Sequence, residues 1–403
     1  MISKQAIYLD HNATTPLDPR VADAMRQAAA ESFANPASQH GPGRQARRTV
    51  ERARQQIGQL LGADMGGGGA DRLIFTSGAT EANNLALRGL AGQPPGRLII
   101  SAIEHPSVVG TAENLHSLGF EISLLPVDGD GIVQVDALPA RLTPDTRLVS
   151  VMLGNNETGA LQPIERLAAH CAAAGVPLHT DAAQVAGKLP IDFRNLGATA
   201  LTFTAHKFHG PRGVGGLLIR DGTTLAPILF GGFQQGGLRP GSEPVELVVG
   251  MCEGLKLWDE QSAERRWRIA DLRDRFERQL RAAWPAAVVH AARALRLPHT
   301  SCISFPGLDR QALLMALDQA GVACSTGSAC ASGSSEPSRV LLAMGCERSI
   351  VDSALRFSLG VTTTAEEVDE AVRRILRVLN RLGDRGQPPN RSELPPLERS
   401  QTV

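Results

Sequence analysis

The stretch that decides the fold runs from Leu201 to Ile219 and reads LTFTAHKFHGPRGVGGLLI. Two apolar runs, Leu201–Thr204 and Val214–Ile219, flank a polar segment that contains Lys207. A crossover between parallel strands needs about a dozen residues or more, and the segment after Lys207 is shorter than that. The second run is therefore expected to be antiparallel to the first or to pair elsewhere in the sheet.

Similar apolar runs precede this stretch, and most are nearly continuous, as is typical of strands covered on both faces. Helical segments such as Ala79–Leu90 and Ile164–Ala174 separate most of them. This alternation predicts an α/β fold with a mostly parallel seven-stranded sheet and one antiparallel strand. The earlier runs are Arg72–Ser77, Arg97–Ile103, Glu121–Val127, Arg147–Leu153 and Pro177–Thr180.

The second half of the chain predicts a smaller α+β domain. Glu260–Ala283 reads as a long, arginine-rich helix that links two domains, and shorter strands and helices follow it. Residues after Gly383 are rich in proline and charge without a period, which is typical of disorder. The predicted units are a large domain (15–260), a small domain (1–14 with 261–382) and a disordered tail (383–403).

Composition restricts the class of protein. The 403 residues carry 41 basic and 41 acidic side chains, so no basic excess points to direct nucleic-acid or membrane-surface binding. No run of about 18 apolar residues predicts a membrane span, and the start lacks a secretory signal. Six cysteines without a CxxC pair favour free thiols in a reducing cytoplasm.

Polar residues follow the carboxyl ends of five predicted strands, the edge at which open α/β sheets bind ligands. Taken singly, Ser77–Thr80 and Asp181 could be helix caps, and His105 could be structural. Five such ends together favour a binding site. The segments are Ser77–Thr80, Glu104–His105, Asn155–Glu157, Asp181–Gln184 and His206–Lys207.

Lysine is scarce, which narrows the search for a reactive amine. A lysine at a buried strand end costs desolvation, and a covalent imine would remove the charge of Lys207. The other lysines are less suitable: Lys4 is terminal, Lys256 falls in a predicted helix, and Lys188 follows a glycine typical of the surface. Lys207 is therefore the candidate for Schiff-base chemistry.

Cys330 lies in a loop of small residues, STGSACASG (325–333). A structural cysteine prefers an apolar core, whereas a thiolate in such a loop could reach a substrate and then a partner. Cys324 lies on the preceding strand and is expected in the core. A Cys324–Cys330 metal or disulfide pair is the alternative explanation.

A series of motifs in fixed order resembles the NifS/IscS-like cysteine desulfurases, in the class V branch of fold-type I pyridoxal-phosphate enzymes. The similarity extends from Tyr8 to about Leu382. The motifs are YLDHNATTP (8–16), NPASQHGPGRQA (35–46), FTSGATEANNLAL (75–87), EH (104–105), NNETG (155–159), HTDAAQVAGKLPID (179–192), TAHKFHGPRGVGG (204–216), STGSACASGSSEPSRVL (325–341) and LRFSLG (355–360).

The resemblance implies a homodimer that converts L-cysteine to L-alanine with a persulfide on Cys330. That sulfur would pass to an acceptor or to an iron–sulfur scaffold protein, where Cys330 could transiently touch the cluster. The long loop after Cys330 resembles the subgroup associated with iron–sulfur assembly and tRNA thiolation.

The resemblance also assigns the cofactor contacts. Lys207 would carry pyridoxal phosphate as a Schiff base, Asp181 would pair with the pyridinium nitrogen, and Gln184 would contact the phenolic oxygen. His105 would stack on the ring and move protons. The phosphate would lie among Ala79, Thr80, Thr204 and His206, and the substrate carboxylate against Asn156 and Arg356.

One stretch departs from the family pattern GGGQERGLRAGTEN, which here is Gly231–Pro244. Phe233 replaces a glycine, Gln235 a glutamate and Gly236 a basic residue. Ser242 replaces the threonine that reaches the phosphate across the dimer interface. Because serine keeps the hydroxyl, the resemblance still implies a phosphate contact, whereas the other changes could alter the dimer or substrate access.

Two rival functions remain open on the sequence. A selenocysteine lyase or another class V enzyme would use the same scaffold, although an aminotransferase needs no loop cysteine such as Cys330. A non-catalytic assembly protein is the other alternative. The retention of Lys207, Asp181, His105 and Arg356 argues against it.

Overall fold

The computed structural model describes residues 6–327 and 336–386, with side chains up to 383. The strands of these residues are β1 (Ile7–Tyr8), β2 (Arg72–Thr76), β3 (Arg97–Ser101), β4 (Glu121–Leu125), β5 (Thr146–Ser150), β6 (Leu178–Asp181), β7 (Ala200–Thr204), β8 (Gly215–Ile219), β9 (Val288–Val289), β10 (Thr300–Ser304), β11 (Val322–Ala323) and β12 (Ala354–Ser358). The α-helices are α1 (Pro19–Glu31), α2 (Gly41–Leu60), α3 (Ala79–Ala91), α4 (Pro106–Ser117), α5 (Ile164–Ala173), α6 (Phe193–Leu196), α7 (Val245–Asp259), α8 (Ser262–Ala283), α9 (Arg310–Gln319), α10 (Arg339–Ala343), α11 (Arg348–Val351) and α12 (Ala365–Gly386).

A seven-stranded sheet in the order β2-β8-β7-β6-β5-β3-β4 forms the centre of the larger part. Strand β8 lies between β2 and β7 and is antiparallel to both, while the remaining neighbours are parallel. The predicted mostly parallel sheet with one antiparallel strand is confirmed. The short turn around Lys207 leaves no room for a crossover helix, so the chain returns beside β7 in the opposite direction.

Both faces of the sheet are covered, which explains the continuous apolar runs. Phe75, Val149 and Phe203 belong to the core on one face, whereas Ile74 and Leu148 belong to the core on the other. Successive strand residues point to opposite faces, so every position of a central strand meets a helix layer.

A separate core packs the second half of the chain. Strand β10 pairs antiparallel with β9 and β12, and Phe276 of α8 packs on Phe357 with ring centroids 5.1 Å apart. Strand β1 pairs in parallel with β11, so the start of the chain joins this part. The division into 15–260 and 1–14 with 261–382 stays a prediction.

Two helix boundaries differ from the sequence prediction. The predicted helix Glu260–Ala283 is preceded by α7, which ends at Asp259, and α8 starts only at Ser262. Helix α12 continues to Gly386, so residues 383–386 of the predicted disordered tail are helical. The rest of that tail, 387–403, lies outside the described residues. The Thr364–Glu367 capping box is present, with reciprocal bonds of 3.0 and 3.2 Å.

Within residues 6–327 and 336–386, no helix combines the length and apolarity needed to cross a bilayer. The same residues contain no cluster of three or more histidine, cysteine or acidic side chains suited to a metal ion.

Candidate active site

A cavity of about 600 Å³ opens at the carboxyl edge of the large sheet. Its volume is in the range of ordinary small-molecule sites. The structure brings most of the predicted site residues to its wall, namely Ala79, Thr80, His105, Asn156, Asp181, Gln184, Thr204, His206, Lys207 and Arg356. Ser242 is exposed and is not part of this wall. Cys330 lies outside the described residues.

Lys207 ends the single 3-10 turn that follows β7. Its Nζ donates to the carbonyl oxygens of Asn12 and Ala13, the latter at 2.8 Å. The N-terminal segment therefore contributes backbone acceptors to the site. The sequence reasoning assigned Asn12 and Ala13 no role, although both belong to the YLDHNATTP motif.

Asp181 ends β6, and its carboxylate is oriented by two donors. Asn83 Nδ2 of α3 donates to Oδ2 at 2.7 Å, and the Ala183 backbone N–H donates to Oδ1 at 2.9 Å. These bonds orient the carboxylate, which borders the cavity and can accept a hydrogen bond from a protonated ring nitrogen. Asn83 was not among the predicted site residues.

His105 precedes α4 and borders the cavity with its ring. The Ser107 backbone N–H donates to Nδ1 at 3.1 Å, so a neutral ring carries its proton on Nε2. The neighbouring Glu104 is buried, and its Oε1 accepts from the Ser101 hydroxyl and from the Met152 N–H at 2.8 Å. Burial, with a smaller contribution from the charge of Asp181, raises the pKa of Glu104 to about 8.

The start of α3, beside the turn after β7, is the candidate anion site. Free N–H groups in the first turn of a helix of this length favour a phosphate. The first residue of β8 packs tightly against the residue before α3, since a Cβ added to Gly215 would lie 2.7 Å from the Gly78 backbone. His206 Nδ1 lies 3.2 Å from Thr14 Oγ1. Burial and the charge of Lys207 lower the pKa of His206 to about 4, so its ring is neutral.

Arg356 of β12 lies at the opposite wall and is almost fully buried. Its Nη1 donates to the carbonyls of Asn156 and Gly327, both at 2.9 Å, and its Nη2 donates to Asp10 Oδ1 at 2.9 Å. Its Nε is buried without a partner among the described residues. An unsatisfied guanidinium N–H beside a cavity suits a substrate carboxylate.

Glu157 contacts both described ends of the segment that carries Cys330. Its Oε2 accepts from Ser338 Oγ at 2.5 Å, and a Cβ on Gly327 would lie 2.9 Å from the same oxygen. Burial raises the pKa of Glu157. The sequence reasoning named this residue only within a motif.

Lys188 is not the surface lysine expected from the sequence. The preceding Gly187 is buried at φ +68°, and a Cβ there would lie 2.3 Å from the Phe208 side chain. Glycine is therefore required for close packing rather than for a surface turn. Lys188 Nζ donates to Gln184 Oε1 at 3.0 Å, which brings a second lysine next to the site.

The residues present fit pyridoxal phosphate. The cavity combines a lysine for covalent attachment, an oriented carboxylate for the ring nitrogen and a helix N-terminus for the phosphate. The unpaired Arg356 Nε is left for a substrate group.

Comparisons with known proteins agree with this arrangement. The chain matches the family "Aminotransferase class-V" over residues 7–371. It is 38% identical over 382 residues to the cysteine desulfurase IscS of Dictyoglomus turgidum, covering 94% of this chain and 96% of that protein. A cysteine desulfurase of Cereibacter sphaeroides is 42% identical over 381 residues, covering 93% and 95%.

A solved structure described as a NifS-like protein superposes with a TM-score of 0.86 at 33% identity, covering 94% of this chain and 100% of that one. Family, relatives and fold thus agree with the cavity. The chain belongs to the class-V aminotransferases, among the pyridoxal-phosphate-dependent cysteine desulfurases of the NifS/IscS type.

Proposed function

We propose that the protein transfers the sulfur of L-cysteine to Cys330, which releases L-alanine and leaves a persulfide. The thiol of Cys330 forms the new S–S bond, the C–S bond of the substrate breaks, and the substrate carbon receives a proton. The observation that carries this proposal is the convergence of Lys207, Asp181, His105 and Arg356 on one cavity.

Lys207 is the residue proposed to bind the cofactor covalently. The bound cofactor supplies a ring that withdraws electrons from the α-carbon of the amino acid. Asp181, oriented by Asn83, keeps the ring nitrogen protonated and so maintains that withdrawal. His105, with a proton on Nε2 in its neutral form, is proposed to exchange protons with the bound substrate.

The substrate is oriented by its carboxylate. Of the five N–H groups of Arg356, three bind Asp10, Asn156 and Gly327, so the Nε N–H and the second Nη2 N–H are the ones proposed to bind the substrate. Asn156 lies beside it and is proposed as the second carboxylate contact. Because the Gly327 carbonyl binds the same guanidinium, the chain that leads to Cys330 starts next to the substrate.

The phosphate is proposed to contact Ala79, Thr80, Thr204 and His206 of one subunit and Ser242 of its partner in a homodimer. Ser242 is exposed and does not border the cavity of its own chain. Phe230 and Phe233 nearby are each 87% exposed. Adjacent exposed aromatic side chains favour a surface that another protein covers.

The persulfide is proposed to pass from Cys330 to an acceptor protein, including an iron–sulfur scaffold, in the cytoplasm. The free thiols among the described residues, such as Cys171 and Cys302, are consistent with a reducing compartment. Cys330 is also the residue proposed to touch a cluster transiently on such a scaffold.

The test measures L-alanine and sulfide from L-cysteine with a thiol reductant. We expect equal amounts from the parent protein, and neither from Lys207→Ala. Cys330→Ser should retain the visible absorbance of the bound cofactor but form no persulfide. Normal desulfuration by Cys330→Ser would refute the role of Cys330, and a higher rate on selenocysteine than on cysteine would favour a lyase.

A further inference from the structure

Lys188 and Lys207 border one small cavity of about 30 Å³ behind the active site. Lys207 also borders the main cavity, so this residue lies between the two cavities, whereas Lys188 borders only the small one. The volume is sufficient for about one water molecule and too small for a substrate. Lys188 is thus a buried amine for which the proposed reaction has no direct use.

A chain of hydrogen bonds links the two lysines. Lys188 Nζ donates to Gln184 Oε1 at 3.0 Å, and Gln184 Nε2 donates to the Asn12 carbonyl at 3.0 Å. The Asn12 carbonyl also accepts from Lys207. An amide side chain has one oxygen acceptor and two N–H donors. With Oε1 bound to Lys188 and one N–H bound to Asn12, the second N–H is left for a group in the main cavity.

We propose that Lys188 is a positioning residue, which fixes the amide of Gln184 so that an N–H group faces the phenolic oxygen of the bound cofactor. This inference rests on the proposed function, in which Gln184 contacts that oxygen. A turned amide would place Oε1 against both the Asn12 carbonyl and the phenolic oxygen. Without Lys188, Oε1 of Gln184 is buried without a donor, and this cost competes with the correct orientation of the amide.

The surroundings of Lys188 are predominantly basic. Burial, followed by the charges of Lys207 and Arg356, lowers the pKa of Lys188 well below its ordinary value. A neutral amine still donates N–H to Gln184, so the orienting bond does not require a charge. The other titratable groups that the charge of Lys188 affects are His11, His206, His209 and His299.

The test measures the pH midpoint of the visible absorbance of the bound cofactor, which reports the proton on the Lys207 nitrogen in the covalent link. When the Lys207 nitrogen loses its proton, the phenolic oxygen no longer accepts a hydrogen bond from that nitrogen. An N–H donated by Gln184 to the phenolic oxygen therefore stabilises this deprotonated form. Lys188→Met should therefore raise the midpoint, by about one unit, a tenfold change in proton affinity. In a Gln184→Leu background the same substitution should have no effect, because Lys188 acts through Gln184.

Two further variants separate the hydrogen bond from the charge and from general damage. Lys188→Gln keeps an N–H donor without a charge, so its midpoint should stay near that of the parent even if Lys188→Met fails to fold. Lys256→Met is the matched control, because Lys256 pairs with Glu253 on α7 at 3.6 Å. Its midpoint should equal that of the parent.

Equal shifts with and without Gln184 would overturn the inference, since they would indicate a direct charge effect. A shift in Lys188→Gln as large as in Lys188→Met, or no shift in either, would also overturn it. A parent protein without visible cofactor absorbance would instead refute the proposed function, and the inference with it.

Discussion

Arg356 and Asp10 form an ion pair of 2.9 Å between Nη2 and Oδ1, with side-chain exposures of 2% and 19%. The pair joins the start of the chain to β12, and the Nε of Arg356 has no hydrogen-bond partner among the described residues. Asp10 therefore neutralises the charge of Arg356 and orients the guanidinium that is proposed to bind the substrate carboxylate.

Asp10→Ala should lower the free energy of unfolding by about 3 kcal/mol, because it leaves a buried guanidinium without its counter-charge. Urea denaturation measures the loss. The control is Asp23→Ala, which removes an exposed pair with Arg26 and should cost about 1 kcal/mol or less. Equal losses in the two variants would contradict the structural importance of the Arg356 pair.

Gln235→Leu should lower the free energy of unfolding by about 1–3 kcal/mol. The Gln235 amide accepts from the Phe75 N–H at 2.7 Å and donates to the Phe75 carbonyl at 2.9 Å, so it completes the open edge of β2. Thermal and urea melts should show the change, while Gln27→Leu on the exposed face of α1 should have little effect. Unchanged stability would mean that water replaces the amide at this edge.

Glu104→Gln should become more stable relative to the parent as pH rises from about 5 to 8. The pKa of Glu104 is raised to about 8 in the folded protein, above its unfolded value near 4.5. The stability that the Glu104 carboxyl group contributes is therefore complete below its unfolded pKa and is lost as pH rises through its folded pKa. Urea melts of both proteins at several pH values test the trend, and a constant difference across this range would contradict it.

Ser242→Glu should weaken cofactor binding by charge repulsion with the phosphate, and mixed dimers should show that the damage acts in the partner's site. Coexpression with Lys207→Ala gives mixed dimers. One site of such a dimer combines the intact Lys207 of the Ser242→Glu chain with the intact Ser242 of the Lys207→Ala chain. About half of the parental activity per mixed dimer is expected, although neither variant alone should be active. Inactive mixed dimers would place Ser242 in the site of its own chain, whereas a fully active Ser242→Glu protein would place it outside both sites.

The sheet, and the site residues that directly follow its strands, could be predicted from the sequence. Asp181 and Lys207 lie at strand ends or one turn beyond, where local pattern and position in the sheet coincide. A helix was predicted around Lys256, but the bounds of α7 were not, because this helix is apolar on most sides, contains two glycines and lacks the amphipathic period of a surface helix.

Contacts between segments that are far apart in the chain could not be predicted from the sequence. Asn12 and Lys207 are far apart in the chain, and their contact depends on where the pairing of β1 with β11 places the segment that follows β1. Lys188 was misjudged because a glycine at positive φ occurs both in surface turns and where a neighbouring side chain excludes a Cβ. Only the position of Phe208 distinguishes the two cases.

The pairing of β1 with β11 has a consequence for biosynthesis. The carbonyls of Asn12 and Ala13 reach Lys207 from a segment that is anchored by Val322 and by the Ser358 hydroxyl, which accepts from the Asn12 N–H at 2.8 Å. These anchors are translated long after the strands of the large sheet, and such distant pairings form late. A nascent chain that stops before β11 lacks the strand that pairs with β1, so we expect the complete site to form only after β11 has been translated.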